Sequence, residues 1–200
     1  NKSVSAREPN LSNDFEECVD DSLRWKCGYS FSVELPEQYN TNRKYPLIVF
    51  LHGGVWQSRD AIRSYEKIGG AIYRLDNDPF IILTPTKLEL DWNPKKIREA
   101  IELVIENVSI DVNRIYLTGI SMGGRGTFIV AAENTDLFSA LMPISPHHEP
   151  YSYLELANKV KDFPILISHG DADDISSFEI ASQMAEELKS LNAEIIFKSI

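Results

Sequence analysis

Residues 119–123 read Gly-Ile-Ser-Met-Gly and place a serine between two glycines at the spacing G-x-S-x-G. A serine in this pattern, between a strand and a helix, is typical of the nucleophile in acyl transfer. The two glycines remove side chains that would clash where the backbone segments meet. The helix that follows would favour negative charge developing near its N-terminus. Ser121 is therefore the candidate nucleophile of a serine hydrolase.

A small-residue turn, His52-Gly53-Gly54, follows an earlier apolar run and predicts an oxyanion hole. Small residues allow backbone N–H groups to point at a substrate oxygen. Met122 would supply one N–H, and either Gly54 or Val55 would supply the second. A glycine turn that simply ends a strand is the alternative. Trp56 is a candidate for substrate binding by stacking on an aromatic acyl group or a sugar, and a buried core position is equally compatible with its type.

The acidic partner of a catalytic serine is expected after a later strand. Residues 168–174 read Ser-His-Gly-Asp-Ala-Asp-Asp, so Asp171, Asp173 and Asp174 all qualify by position. The spacing G-x-x-D from Gly170 favours Asp173. Acidic residues also cap helix N-termini, and a helix is predicted from residue 175 onward. One aspartate can act as the acid while another caps the helix.

The elements that must position these residues alternate between apolar runs and helical patterns. Strands are predicted at 31–35, 45–51, 80–83, 114–118, 140–144, 165–167 and 193–200, and helices at 61–75, 94–108, 123–132, 151–160 and 175–191. This alternation predicts an α/β fold, a mostly parallel sheet with helices on both faces. Ligands bind beyond the carboxyl ends of the strands in such sheets, and every candidate above follows a strand. Residues 1–14 are expected to form a flexible N-terminal arm, and residues 15–200 one domain.

Composition narrows the classes of partner. The net charge of −10 argues against nucleic acid and gives no attraction to an anionic membrane surface. The longest apolar runs are too short to span a bilayer. No Cys/His spacing indicates a metal, and the chemistry needs no cofactor. Cys18 and Cys27 flank a polar stretch, and a disulfide and two free thiols both remain open.

The stretch from Asp111 to Phe128, DVNRIYLTGISMGGRGTF, resembles the α/β-hydrolase family. Within it, the chain is similar to the esterase group that includes feruloyl and acetylxylan esterases, polyhydroxybutyrate depolymerases and predicted peptidases. The resemblance covers about residues 45–200 and implies Ser121 as nucleophile, residues 52–54 as oxyanion turn and Asp173 as acid. Two stretches differ from the group. Ser-Pro-His-His at 145–148 stands where a glycine-rich stretch is common, and Ser-Ser at 176–177 replaces a common Val-Pro.

A catalytic serine needs a base, and in this fold the chain order is serine, acid, histidine. No histidine follows Asp173 in the sequence. The resemblance implies a base within about ten residues after the last strand, so the C-terminal end of the domain is expected to be missing. A second hypothesis makes His147 or His148 a substitute base, and both are otherwise candidates for substrate binding. A third is a non-catalytic relative that keeps the pocket for binding. His52 and His169, at strand ends, suit supporting roles.

The sequence therefore predicts a carboxylic-ester hydrolase with a Ser-His-Asp acyl-enzyme mechanism. The short stretch between the strand ending at 144 and the next strand leaves no room for an inserted cap domain. An uncapped site suits short acyl esters or polysaccharide-linked feruloyl and acetyl esters. The alternative enzyme is a serine peptidase, because the same triad cleaves amides. A secreted or periplasmic location is favoured over a cytoplasmic one, and the oligomeric state is open.

Overall fold

The computed structural model describes residues 3–4, 29–54, 78–87 and 90–200. One sheet contains eight strands: β1 (Ser3–Val4), β2 (Ser30–Glu34), β3 (Tyr45–Leu51), β4 (Ile81–Thr86), β5 (Ile110–Ile120), β6 (Ala140–Ile144), β7 (Ile165–His169) and β8 (Ile195–Ser199). Their order is β1-β2-β4-β3-β5-β6-β7-β8. β2 pairs antiparallel with β1 and β4, and all other neighbours are parallel. The mostly parallel sheet predicted from the sequence is confirmed.

The described helices are α1 (Pro94–Asn107), α2 (Met122–Glu133), α3 (Ala157–Val160) and α4 (Phe178–Ser190), with a 3-10 turn at Leu154–Leu156. The predicted start of α1 is confirmed, because the side chain of Asn93 accepts hydrogen bonds from the N–H groups of Lys95 and Lys96. The stripe Ile97, Ile101 and Val104 is buried. Removing each of these side chains from water contributes about 2 kcal/mol, which holds α1 on the sheet.

β3 lies inside the sheet between β4 and β5, and it carries the turn that holds His52. Its side chains Leu47, Val49 and Leu51 are all fully buried. A near-continuous apolar run is what a strand covered on both faces requires, and the predicted limits of this strand are confirmed. The carboxyl ends of β3, β5, β6 and β7 therefore meet at one edge of the sheet, where the candidate residues follow them.

β4 ends at Thr86 rather than at residue 83, α4 begins at Phe178 rather than at residue 175, and two further elements differ more strongly from their predicted extent. β5 begins at Ile110 rather than at residue 114, because its polar first half stays paired with β3 across a register shift. The helix predicted at 151–160 is only a 3-10 turn followed by the single turn of α3. Tyr153 explains this: its ring is buried and stacks on Phe128 with centroids 5.1 Å apart, which holds the chain out of a helix there.

Part of the sequence prediction concerns residues whose placement is not described. Within the predicted N-terminal arm, Ser3 pairs with Glu34 and Val4 with Val33. The rest of the arm lies outside the described residues, as do the predicted helix at 61–75, Cys18 and Cys27. In the part of the chain that is described, no helix is both long and apolar enough to cross a membrane.

Candidate active site

Ser121 lies on a strained turn between β5 and α2. Its φ of 56° and ψ of −116° put a non-glycine residue at positive φ, a conformation that costs on the order of 1–3 kcal/mol. Its N–H donates to the carbonyl of Ile144 (3.0 Å), and its carbonyl accepts from the N–H groups of Arg125 (3.0 Å) and His147 (2.9 Å). The neighbouring strand, the helix and the loop after β6 therefore hold the strained backbone in place.

The turn after β3 packs directly against the serine turn. A Cβ added at Gly53 would lie 3.4 Å from the Cβ of Ser121, and one at Gly123 would overlap the carbonyl of Leu51. At Gly123, only glycine permits this close approach of the two backbones. Met122 begins α2, so its N–H has no acceptor within the helix. Gly54 follows the contact, whereas Val55 and Trp56 lie outside the described residues.

His52 fixes the backbone of this turn. Its Nδ1–H donates to the carbonyl of Gly53 (2.7 Å), and its Nε2 accepts the N–H of Lys87 (3.2 Å). The ring packs edge-on against Trp92, with centroids 4.9 Å apart. Burial lowers the pKa of His52 to about 4, against the hydrogen bond to Gly53 and together with the charge of Lys87. His52 is therefore neutral and supports the turn, in agreement with its predicted role.

The neutral state of His52 makes stability depend on pH. The unfolded histidine takes up a proton near pH 6.5, whereas the folded one stays neutral until about pH 4. Above pH 6.5, His52 is neutral in both states and does not change the free energy of unfolding with pH. As the pH drops from 6.5 to 4, the free energy of unfolding is expected to fall by about 3 kcal/mol because of His52. Urea unfolding at intervals from pH 4 to 7.5 measures it. In His52→Asn, the part of the pH dependence of stability that comes from His52 should disappear, while the part that comes from carboxylates remains. An unchanged pH dependence would contradict a neutral, buried His52.

Asp173 lies in the loop after β7 with its carboxylate bound to the backbone. Its Oδ1 accepts the N–H groups of Ile175 (3.0 Å) and Ser176 (2.9 Å), and its side chain is 21% exposed. Desolvation raises the pKa of Asp173, but these two bonds, the Ser145 side chain and His169 outweigh it, so the pKa lies below its ordinary value. The group is an ionised carboxylate at neutral pH, as the acid of a triad must be.

His169 is buried beside that carboxylate. Its Nε2 lies 3.0 Å from the carbonyl of Ser176 and 3.6 Å from Oδ2 of Asp173. Because a carbonyl only accepts, Nε2 carries the proton and donates. The ring also packs edge-on against Phe178, with centroids 5.7 Å apart. His169 therefore supports the acid loop from within the core and is not exposed toward a substrate.

His147 and His148 stand between the serine turn and the acid loop. The N–H of His147 donates to the carbonyl of Ser121, and its Nδ1 lies 3.4 Å from Oγ of Ser176. Nδ1 of His148 accepts the N–H of Ser177 (3.3 Å). Burial lowers the pKa of His147, and the charges of its neighbours, His148 first, add to this. Within the described residues, no side chain is hydrogen-bonded to Oγ of Ser121.

Two serines that the sequence reasoning did not assign connect these groups. Ser176 donates its N–H to Asp173, offers its hydroxyl to His147 and presents its carbonyl to His169. Ser177 caps α4 by accepting the N–H of Ile180 (3.2 Å), so the helix cap is this serine rather than one of the aspartates. The available signal was the Ser-Ser pair at 176–177, which departs from the common Val-Pro of the resembling group.

The end of β8 lies against the acid loop. The N–H of Ile200 donates to the carbonyl of His169, and the carbonyl of Ile200 accepts the N–H of Asp171, both at 3.0 Å. Ile200 is therefore anchored two residues from Asp173. Any chain attached to Ile200 would leave the sheet at the edge that carries the candidate site.

The edge thus combines a strained serine, helix N–H groups and an ionised carboxylate, which is the chemistry of acyl transfer. Of the predicted site residues, it brings together Ser121, Met122, Gly54, His147, His148 and Asp173. In the described ranges, no group of three or more His, Cys, Asp or Glu residues is placed to hold a metal ion.

Known proteins share this architecture. A thermostable esterase is 26% identical with a TM-score of 0.69, over 84% of this chain and 50% of its own. A feruloyl esterase module from Clostridium thermocellum, complexed with sinapinate, is 19% identical with a TM-score of 0.64, over 86% of this chain and 75% of its own. The prolyl endopeptidase FAP of Bos taurus is 22% identical over 91% of this chain but only 28% of its own length. The chain therefore spans half or less of two of these proteins.

The fold is that of the α/β hydrolases, as the resemblance implied. Residues 85–199 match the Dienelactone hydrolase family. This match covers more than half of the chain and includes β5, the serine turn and the acid loop. The chain belongs to the dienelactone hydrolase family.

Proposed function

We propose that this protein is a carboxylic-ester hydrolase that forms an acyl-enzyme on Ser121. The observation that carries the proposal is the strained turn at Ser121. Hydrogen bonds to a strand, a helix and a loop hold its backbone, while its hydroxyl has no partner among the described residues. Strain of this kind persists where a function requires it. The ionised carboxylate of Asp173 in the adjacent loop supports the same reading.

The reaction follows from this arrangement. Oγ of Ser121 attacks the ester carbonyl carbon while the base takes its proton, and the carbonyl oxygen becomes an oxyanion. The N–H of Met122, at the start of α2, stabilises that charge together with an N–H of the turn at Gly54 or Val55. The intermediate collapses, the alcohol leaves with a proton from the base, and the acyl group stays on Ser121. Water then attacks the acyl-enzyme in the same way and releases the acid.

The base is proposed to be a histidine carried by chain that follows β8. The support is geometric, because Ile200 is hydrogen-bonded on both sides of Gly170, within the loop that holds Asp173. A histidine a few residues further along would lie close to the loop that carries the carboxylate. His147 is the weaker candidate, since its Nδ1 is directed at Ser176 and its position precedes the acid.

The proposed substrates are short acyl esters or feruloyl and acetyl esters linked to polysaccharide. Between β6 and β7, the described chain contains only a 3-10 turn and one turn of helix, so no cap domain is inserted there. An open edge admits an ester carried on a bulky polymer. The similar module from Clostridium thermocellum, which is a feruloyl esterase, favours this class.

A serine peptidase is the second candidate. The specific support is the similarity to prolyl endopeptidases, which extends over 91% of this chain. The same nucleophile, acid and oxyanion donors cleave amides when the leaving amine is protonated. Substrate preference therefore decides between the two functions, because the geometry of the nucleophile serves both.

The experiment is covalent labelling of the full-length protein with a fluorophosphonate probe. Labelling is expected in the wild type and not in Ser121→Ala. Turnover of p-nitrophenyl acetate and methyl ferulate is then compared with that of a Gly-Pro p-nitroanilide. The proposal expects esters to exceed the amide at least about tenfold in kcat/KM. Faster amide cleavage would make the protein a peptidase, and an unlabelled Ser121 would make it a non-catalytic relative that binds its ligand.

A further inference from the structure

Arg125 is a fully buried cation one helical turn beyond Ser121. Its guanidinium pairs with Asp91 (2.5 Å) and donates to the carbonyl of Glu149. A buried charge is costly unless such partners satisfy it. Asp91 precedes α1 and Glu149 follows β6, so Arg125 ties two loops of the candidate edge to α2.

Tyr151 is held in place by the same group. Its hydroxyl donates to the carboxylate of Asp91, and its ring lies over the guanidinium of Arg125, 5.1 Å from the ring centroid. The side chain is nevertheless exposed, at 56%. An exposed tyrosine usually keeps its rotational freedom, whereas this one is fixed at its hydroxyl and beneath its ring. A large aromatic face is therefore presented to solvent in one orientation.

A groove runs beside this ring along α2. Its volume is about 270 Å³, and its lining includes Glu133, Ser152 and Glu155. From Arg125 to Glu133, α2 rises about 12 Å, enough for one or two six-membered rings in line. Arg125, which lines the groove, comes four residues after Ser121, a rise of about 6 Å along the helix axis. A substrate with its ester at Ser121 must extend at least this far to enter the groove.

The charges of the groove favour a neutral, hydroxyl-rich ligand. Asp91 is paired with Arg125, and Glu133 with Lys159 at 2.7 Å. Carboxylates and a serine hydroxyl accept hydrogen bonds from hydroxyl groups, and an aromatic face packs on the C–H face of a sugar ring. An acetyl group offers no hydroxyl and a feruloyl group only one, whereas a sugar offers several, so the alcohol side of the ester fits these acceptors better.

We propose that Tyr151 is the stacking platform for the sugar that carries the ester, and that the groove along α2 is a carbohydrate subsite. This inference rests on the proposed esterase function and adds the alcohol side of its substrate. Tyr151 is then a residue that sets specificity and takes no part in the chemical step.

The test compares two esters with the same acyl group, a feruloylated arabinoxylo-oligosaccharide and methyl ferulate. Tyr151→Ala is expected to raise KM for the oligosaccharide about tenfold and to leave methyl ferulate within about twofold. Tyr151→Phe keeps the ring but loses the hydrogen bond to Asp91, so its KM for the oligosaccharide should lie between those of the wild type and Tyr151→Ala. Val112→Ala, at an exposed apolar residue in the first half of β5, is the matched control and should change neither substrate. Equal losses on both esters, or no loss on either, would overturn the proposal.

A binding measurement separates this inference from the proposed function. Calorimetry with the unesterified arabinoxylo-oligosaccharide requires no turnover and can use Ser121→Ala protein. Binding is expected there, and about tenfold weaker binding is expected when Tyr151→Ala is added. Absent binding, or equal affinity in both proteins, would refute the subsite even if esters are hydrolysed. Binding that depends on Tyr151 would support the subsite even if no ester is turned over.

Discussion

Replacing Ser121 with alanine is expected to lower kcat for ester hydrolysis by roughly 10³- to 10⁶-fold in the full-length protein. The change removes the hydroxyl that is proposed to form the acyl-enzyme and leaves the proposed oxyanion donors in place. KM should change little, because the hydroxyl contributes little to ground-state binding. Steady-state kinetics with p-nitrophenyl acetate measures the loss. Residual activity within tenfold of the wild type would mean that another group is the nucleophile.

Replacing Ser121 with glycine gives a second variant without the hydroxyl, and it should differ from Ser121→Ala in stability. Ser121→Gly should be as inactive as Ser121→Ala, but it relieves a backbone held at φ 56°. Glycine relieves the strain of the folded turn but also adds conformational entropy to the unfolded chain. The first effect is larger, so the glycine variant should be about 1 kcal/mol more stable than the alanine variant. Thermal or urea unfolding of the pair measures this difference. Lower stability of the glycine variant would show that the turn is not strained.

The serine turn could be predicted because its requirements are local. Glycines at 119 and 123, a β-like run before and a helical run after are all contiguous in the sequence. β3 was predicted to its ends for the same reason, since burial on both faces leaves an unbroken apolar run. Periodicity and turn residues reflect interactions between residues that are close in sequence. The alternation of strands and helices then predicts a parallel sheet and the edge at which its strands end.

The hydrogen bonds between loops at the carboxyl edge of the sheet could not be predicted, because they join residues far apart in sequence. Ser176 connects Asp173, His147 and His169, yet a serine in a polar loop has no period and no distinctive spacing. Tyr151 was assigned to a helix that does not form there, and its ring and hydroxyl contact Arg125 and Asp91. Long-range polar contacts override local propensity in both places.

Replacing Asp173 with asparagine is expected to lower kcat about 10³- to 10⁴-fold, the second largest effect on this site. Asparagine keeps the shape and an oxygen that can accept from Ile175 and Ser176, so the loop should stay folded. It removes the negative charge that would orient the catalytic histidine and stabilise its protonated form. Kinetics with p-nitrophenyl acetate, together with a melting temperature near that of the wild type, tests this result.

The neighbouring aspartates supply the matched controls for this assignment. Asp171 and Asp174 lie in the same loop, are exposed, and carry the same charge, so their asparagine variants should retain activity within about twofold. Loss in Asp174→Asn equal to that in Asp173→Asn would move the acid to the other residue. His147→Ala tests the substitute base in the same assay. A loss as large as that of Asp173→Asn would make His147 the base, whereas a change of only a fewfold would rule out His147 in that role.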